Sequence, residues 1–425
     1  MPKRQCSFCK RPENEVKTLI GNEGGPFICN RCSDLVHETL YKDAKEHVHE
    51  EAEKPLLPPK EIKAFLDEHV IGQEKLKRDV AVAVYRHYLR REYFRQGGGG
   101  DHVRIDKSNI LILGPSGSGK TEVIRAFTDM LGVPMHVADA NKLTQTGYVG
   151  DDVESILQGL VAAAGGDTEK AQWGVCVIDE IDKIARKSGR GASGFRDVTG
   201  EGVQQALLKL VEGSRVNLPL GTSRMVSVDQ PTTMFDTSNV LFICLGSFEG
   251  GLDDIVKQRI NKGSKMGFGV AQAKRELTKT DVYELAEEDD ILEFGIIPEL
   301  KGRLPIMTTT LPLTEEQLVQ ILTQPKHALI KQLIALFSMD GIQLTFEEEA
   351  LQAIARKVMS KPTGARALRS VVEDITIPLT FEYAGKRSNV ESITVTKDTV
   401  TDKQPPIIKY KGGGEATEKR VASQG

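Results

Sequence analysis

The chain predicts an α/β fold. It would hold a parallel sheet carrying a phosphate-binding loop, with helices on both faces, then a smaller, mainly helical C-terminal domain, and at its start a four-cysteine zinc module. Three observations predict it. The apolar run Asn109-Ile110-Leu111-Ile112-Leu113 passes directly into Gly114-Pro115-Ser116-Gly117-Ser118-Gly119-Lys120-Thr121. That is the pattern G-x-x-x-x-G-K-[ST] in a strand–loop–helix setting. From Asn109 to Thr309 short apolar runs alternate with helical periodicity, which is how parallel sheets are wound. Four of the six cysteines stand within the first 32 residues.

Residues 1–41 form the expected zinc module. Cys6-x-x-Cys9 and Cys29-x-x-Cys32 are separated by nineteen residues, a spacing that brings four thiolates to one tetrahedral Zn²⁺. So short a segment cannot build a core, and metal binding would supply its folding energy. All four ligands are protein thiolates, so the site is structural. No apolar leader opens the chain, which favours zinc over disulfides and implies a reducing, cytoplasmic setting. Cys176 and Cys244 lie in apolar runs and read as core residues.

Residues 42–60, charged and then proline-rich (Lys54-Pro-Leu-Leu-Pro-Pro59), read as a linker. Residues 61–313 form the expected large domain. It opens with helices over 61–68 and 73–94, and Gly97–Gly100 is a flexible insertion. Strands are expected at Ile110–Leu113, Met135–Ala138, Val175–Ile178, Val240–Cys244 and Ile306–Thr309. Helices are expected at Lys120–Leu131, Val153–Ala163 and Gly202–Glu212. Residues 314–411 form the smaller helical domain, closed by strands near Ser392–Val395 and Ile407–Tyr410. The polar, glycine-rich stretch 412–425 is expected to be disordered.

Composition narrows the function classes. Apolar residues make up 39% and charged residues 27%, ordinary for a soluble globular protein. The 56 basic and 60 acidic residues give a net charge of −4, without the basic stripe that marks nucleic-acid binders. No apolar run reaches the roughly 18 residues that span a bilayer. Neither nucleic acid nor membrane is an expected partner.

The chemistry is expected at two strand ends. Glycines of the phosphate loop turn backbone N–H groups inward, and the helix N-terminus adds its dipole. Lys120 would reach the β- and γ-phosphates of a nucleotide, and the Thr121 hydroxyl would ligate Mg²⁺. Asp179 and Glu180 end a second buried strand, where ligands bind in open α/β sheets. Asp179 would hold the Mg²⁺ shell and Glu180 would orient the attacking water. Asp182 and Lys183 read as structural.

Three further segments admit two readings each. Gly147-Tyr148-Val149-Gly150 is a turn that either packs its tyrosine locally or presents an aromatic paddle that grips a polymer. Arg303, in Gly302-Arg303-Leu304-Pro305, is either a surface ion-pair residue or a finger reaching a neighbouring subunit's γ-phosphate. Arg366, in Thr363-Gly364-Ala365-Arg366, is either a solvated helix residue or a phosphate sensor.

Together these motifs closely resemble the ClpX family of Clp/Hsp100 unfoldases, within the AAA+ ATPases, over about residues 5 to 410. The resemblance adds Val70-Ile71-Gly72-Gln73, Ala138-Asp139-Ala140, Ile178-Asp179-Glu180-Ile181-Asp182-Lys183 and the run Arg196 to Lys209. It implies a homo-hexameric ring that uses ATP to unfold protein substrates, threads them through a pore and hands them to a ClpP-type peptidase. It implies that Val70 and Ile71 contact adenine, and that Gly114 to Thr121, with Glu122, hold phosphate. Arg303 becomes the finger in trans and Arg366 the second sensor. Tyr148 and Val149 become the substrate grip, residues 187–196 a second pore loop, and the zinc module a site of dimerisation or adaptor binding.

Two departures from the family pattern stand out. The family's Arg-Lys-His entrance loop has no counterpart in Leu220 to Gln230, which implies a different or narrower substrate choice. The peptidase-docking tripeptide, commonly Ile-Gly-Phe, is Met266-Gly267-Phe268 here, a swap between apolar residues of similar size. Two rival classes remain at this level. A nucleic-acid motor shares the same sheet, but the charge balance and the aromatic–aliphatic turn oppose it. A catalytically dead adaptor is opposed by the full set Lys120, Thr121, Asp179, Glu180, Arg303 and Arg366. The first sensor is not legible in Cys244-Leu-Gly-Ser247.

Overall fold

The structure is a computed structural model that describes residues 5–21, 25–36, 57–97, 103, 105–144, 151–186, 198–219, 232–263, 277–361, 363–385, 389–412 and 414–415. The chain divides into two compact units, Met1–Pro55 and Leu56–Gly425. In the first, strands β1 (Leu19–Gly21) and β2 (Phe27–Cys29) pair antiparallel, and a helix starts at residue 30.

The second unit opens with helices α1 (Pro59–His69) and α2 (Glu74–Arg95). The sheet follows: β3 (Ile110–Leu113), β4 (Met135–Asp139), β5 (Val175–Asp179), β8 (Leu241–Gly246) and β9 (Ile306–Thr309), with the hairpin strands β6 (Arg215–Pro219) and β7 (Thr232–Asp236) outside it. The five sheet strands lie in the order β9-β3-β8-β5-β4, all parallel. Every expected sheet strand is present.

All side chains of β3 and β8 are buried, as a sheet covered on both faces requires. The period-2 pleat sorts them. Ile110, Ile112, Val175, Val177, Ile243 and Leu245 pack with Ile62 and Leu66 of α1, Leu76 and Val80 of α2, and Val123 and Phe127 of α3 (Lys120–Leu131). Leu111, Leu113, Cys176, Ile178, Phe242 and Cys244 face the other way. Their partners are Ile156 and Leu160 of α4 (Ser155–Ala163) and Leu207 and Leu210 of α5 (Val198–Glu212). Each fully buried aliphatic side chain contributes roughly 1.5–3 kcal/mol, so these two layers supply most of the free energy that holds the sheet.

The C-terminal portion is mainly helical. Helices α6 (Glu315–Thr323), α7 (Leu329–Met339), α8 (Glu348–Met359) and α9 (Ala367–Tyr383) share one apolar core with strands β10 (Gln343–Phe346) and β11 (Val390–Val395), and β12 (Ile407–Tyr410) pairs with β11. Strand β10 and the β6–β7 hairpin were not expected. Both carry too few alternating apolar residues to stand out. Residues 220–231, which include the altered entrance segment, lie outside the described residues, as do residues 416–425.

Candidate functional site

Parallel strands place all their C-terminal ends on one edge, and Lys120, Thr121, Asp179 and Glu180 gather there. The phosphate loop leaves β3, and α3 begins at Lys120. Lys120 Nζ donates to the carbonyl oxygens of Gly114 at 2.5 Å and Pro115 at 2.9 Å. Burial brings its ammonium down to about 8, against the pull of Asp179 and Asp182, while the charge of Arg366 adds repulsion. Three expected residues, Lys120, Asp179 and Arg366, thus share one electrostatic neighbourhood. The Thr121 hydroxyl has no hydrogen bond among the described residues, so it is free for a hard cation together with Asp179. Glu122 is exposed in the first turn of α3.

The loop is anchored from beneath. Ser118 Oγ donates to the Pro115 carbonyl at 2.8 Å and lies 2.6 Å from Thr310 Oγ1. A Cβ on Gly114 would overlap Thr310, so only glycine fits there. Thr310 follows the edge strand β9, whose last residue pairs with Leu113.

Adjacent parallel strands also explain Glu180. Asp139 and Asp179 are register partners at the ends of β4 and β5. The chain beyond Asp139 turns under an Asp139 Oδ1 to Asn141 N–H bond of 2.9 Å, and Asn141 Nδ2 then donates to Glu180 Oε2. Glu180 itself is left-handed, with φ 58° and ψ 37°. A non-glycine residue held there costs of order 1–3 kcal/mol. Asp182 is structural, as expected: its carboxylate accepts from Ser247 N–H at 3.1 Å and Ser247 Oγ at 3.3 Å.

The turn Val70-Ile71-Gly72-Gln73 joins α1 to α2 beside the loop. Val70 is buried, and its Cγ1 lies 4.0 Å from where a Cβ on Gly119 would sit. Lys77, 2% exposed, donates to the Val70 carbonyl at 3.2 Å and pairs with Asp67 at 2.5 Å and Glu74 at 2.8 Å. Lys63 pairs with both carboxylates too, and hydrogen bonds from Lys63 and Lys77 hold Glu74 below the usual carboxylate range. A buried ammonium is tolerable only with such partners.

Two expected residues come from outside these two strand ends. Arg303 precedes β9, so it lies at the N-terminal edge of the sheet, a strand's length (roughly 13 Å for four residues) from the phosphate loop. There it is exposed and pairs with Glu212 at 2.9 Å. Arg366 is exposed at the head of α9, yet the turn before it touches the loop: a Cβ on Gly117 would meet the Thr363 carbonyl oxygen at 2.4 Å. Tyr148, Val149, residues 187–196, Met266, Gly267 and Phe268 lie outside the described residues.

Sequence reasoning missed Asn141, Thr310 and Lys77. Asn141 follows Asp139 in the pattern of an Asx turn, the one local signal available. Thr310 and Lys77 carried none.

In the first unit, the Sγ atoms of Cys6, Cys9, Cys29 and Cys32 lie within 4.8 Å of one another, with Cys9 and Cys29 at 3.6 Å. Four sulfurs at about 2.3 Å from one Zn²⁺ would be about 3.8 Å apart, so the set fits the ion. Burial and hydrogen bonds to Cys9, Cys29 and Cys6 push the Cys32 thiol up to about 12. Four adjacent thiolates need a divalent cation to coexist.

Comparison with known proteins agrees with this layout. Residues 105–307 match the model of the AAA domain (Cdc48 subfamily), residues 4–42 that of the ClpX C4-type zinc finger, and residues 313–389 that of the C-terminal, D2-small domain of ClpB protein. The ATP-dependent Clp protease ATP-binding subunit ClpX of Treponema denticola is 43% identical over 406 residues, 95% of this chain and 96% of that protein. The subunit named ClpX 2 of Wolinella succinogenes is 42% identical over 408 residues, 96% and 98% of the two chains. ClpX of Bacteroides thetaiotaomicron is 43% identical over 398 residues, 92% and 94%.

Proposed function

This chain belongs to the ClpX family of AAA+ ATPases, and from that premise we propose that it is an ATP-driven protein unfoldase and translocase. It binds ATP with Mg²⁺ and carries Zn²⁺. As the ATP-binding subunit of a Clp protease, it works as a homo-hexameric ring, draws substrate polypeptides through the pore and passes them to a ClpP-type peptidase. Residues 61–313 act as the large domain and 314–411 as the small one.

The observation that carries this reading is the position of the phosphate loop. It is lined on one side by the sheet and on the other by the Thr363-Gly364-Ala365 turn of the C-terminal helices. Occupancy of the loop therefore bears on how the two layers meet. Val70 and Ile71 border the base, and Gly114 to Thr121 cradle the phosphates. Mg²⁺, held by Thr121 and Asp179, neutralises phosphate charge. Glu180 orients water, Arg366 senses the phosphates, and Arg303 serves the next subunit, since it cannot reach its own loop across the sheet. Tyr148 and Val149 grip the polypeptide, and Met266, Gly267 and Phe268 dock the peptidase.

The test is ATP turnover with an unstructured polypeptide, and in parallel with single-stranded and duplex DNA. Stimulation by polypeptide that is lost in Tyr148→Ala supports the unfoldase. Stimulation by DNA alone replaces it with a nucleic-acid motor. Absence of the Arg-Lys-His loop further implies a different or narrower substrate choice, an idea that fails if small apolar C-terminal tags are processed as fast as by a relative with that triplet.

A further inference from the structure

Gln73 joins three segments that are far apart in sequence. Its Nε2 donates to the Ser118 carbonyl at 3.0 Å and to the Leu311 carbonyl at 2.9 Å. Its Oε1 accepts from Leu311 N–H at 2.9 Å. Both amide hydrogens are used, and Leu311 is held through both its backbone polar groups, as a neighbouring strand would hold it. Ser118 belongs to the phosphate loop. Leu311 belongs to the short segment between β9 and the α6 cap residue Thr314, the covalent link from sheet to C-terminal helices.

The backbone of Gln73 is left-handed, with φ 57° and ψ 41°. Strain at a non-glycine residue persists only where its surroundings over-determine it, and it marks functional positions. Here a glycine would adopt the turn freely, yet the chain places a glutamine in it. Gly72, beside it, lets the C-terminal layer come close: a Cβ there would sit 2.7 Å from Gln317 Nε2, and Gln317 is part of the α6 capping box.

We propose that Gln73 is a positioning residue, a latch that ties the inter-layer segment to the phosphate loop and couples nucleotide occupancy to the orientation of the C-terminal helices. The proposal rests on the reading above that occupancy of the loop bears on how the two layers meet, taken as a nucleotide-driven motion of the C-terminal layer. The side-chain amide is planar and rigid, so its two ends move together. A shift of the Ser118 carbonyl when phosphate fills the loop is passed to Leu311 without slack. The Gly117–Gly364 contact is a second attachment on the same loop.

The experiment uses the full-length protein carrying spin labels at the exposed positions 89 on α2 and 339 on α7, introduced through unnatural amino acids so that the zinc thiols are spared. Distances are measured with ADP and with a non-hydrolysable ATP analogue, each at saturation for the variant tested. Gln73→Gly keeps the left-handed turn without strain and deletes only the side-chain bonds. Gln73→Glu keeps the acceptor for Leu311 N–H and sets an anion against two carbonyls. The expected result is a nucleotide-dependent distance shift in the unsubstituted protein that is lost in both variants. ATP consumed per polypeptide processed should also rise. An unchanged shift and an unchanged ATP cost in Gln73→Gly overturn the latch alone. No shift in the unsubstituted protein overturns the nucleotide-driven motion itself, and the latch with it.

Discussion

Gly117 in the phosphate loop and Gly364 ahead of helix α9 meet backbone to backbone. A Cβ on Gly117 would lie 2.4 Å from the Thr363 carbonyl oxygen, and one on Gly364 would lie 2.9 Å from the Ser116 carbonyl oxygen. Both have positive φ, 73° and 55°. Two elements some 250 positions apart in sequence approach this closely only because neither residue has a side chain. Gly364→Ala should therefore push the turn off the loop and strain the backbone, costing about 1–2 kcal/mol of stability. ATP affinity should fall as Arg366 moves away. Calorimetric titration with ATP and a thermal melt check both, and affinity equal to that of the unsubstituted protein would show that the contact has no bearing on nucleotide.

The Asn141–Glu180 bond makes a different prediction. Glu180→Gln should keep ATP binding and lower turnover by about two orders of magnitude or more, since the general base is gone. Asn141→Ala removes the donor that occupies Glu180 Oε2. The freed carboxylate should raise basal turnover and shrink the stimulation by polypeptide. Steady-state ATPase assays distinguish the two. A lower basal rate in Asn141→Ala would mean instead that the amide holds Glu180 in its working position.

Zinc removal should act locally. The four thiols are the common centre of the first unit, with Cys29 N–H donating to Cys6 Sγ at 3.3 Å, and the β1–β2 hairpin is too small to fold alone. A strong chelator, or Cys9→Ser, should abolish hydrogen-exchange protection across residues 5–32, while protection of the sheet strands β3 and β8 persists. Retained protection in the metal-free protein would end the structural role.

His87 supplies a pH dependence. It is 2% exposed on α2, its ring centroid lies 6.1 Å from that of Trp173, and its Nε2 lies 3.4 Å from the Trp173 carbonyl. Burial brings it down to about 4, only partly offset by the Trp173 carbonyl. The native state therefore keeps it neutral while the unfolded chain takes up a proton near 6.5. Its contribution to stability is complete above pH 6.5 and is lost as pH falls from there towards 4, about 3 kcal/mol in all. The chain's single tryptophan reports unfolding by fluorescence. The fall in melting temperature between pH 7 and 5 should be shallower in His87→Leu, and identical slopes would remove His87 from the acid response.

Much of this protein was legible residue by residue. The five sheet strands, the phosphate loop, the acidic strand end and the paired C-x-x-C motifs are local patterns, set by pleat period, glycine conformation and ligand spacing. They sufficed to predict an α/β nucleotide-binding fold with a zinc module, and the resemblance they carried led to the family. The sequence alone could not say what faces what. Asn141 meets Glu180 because β4 and β5 are parallel neighbours ending in register at Asp139 and Asp179. Thr310 supports Gly114 because the last strand in sequence lies beside the first in space. Arg303 is kept from its own loop because it enters that same strand at the opposite edge. Gln73 reaches Ser118 and Leu311, and Gly117 reaches Gly364, across 45, 238 and more than 200 positions. Such contacts are decided by strand order and by packing of the two layers, since the free energy that holds them comes from burying both faces of the sheet at once, and no short stretch of chain contains that information.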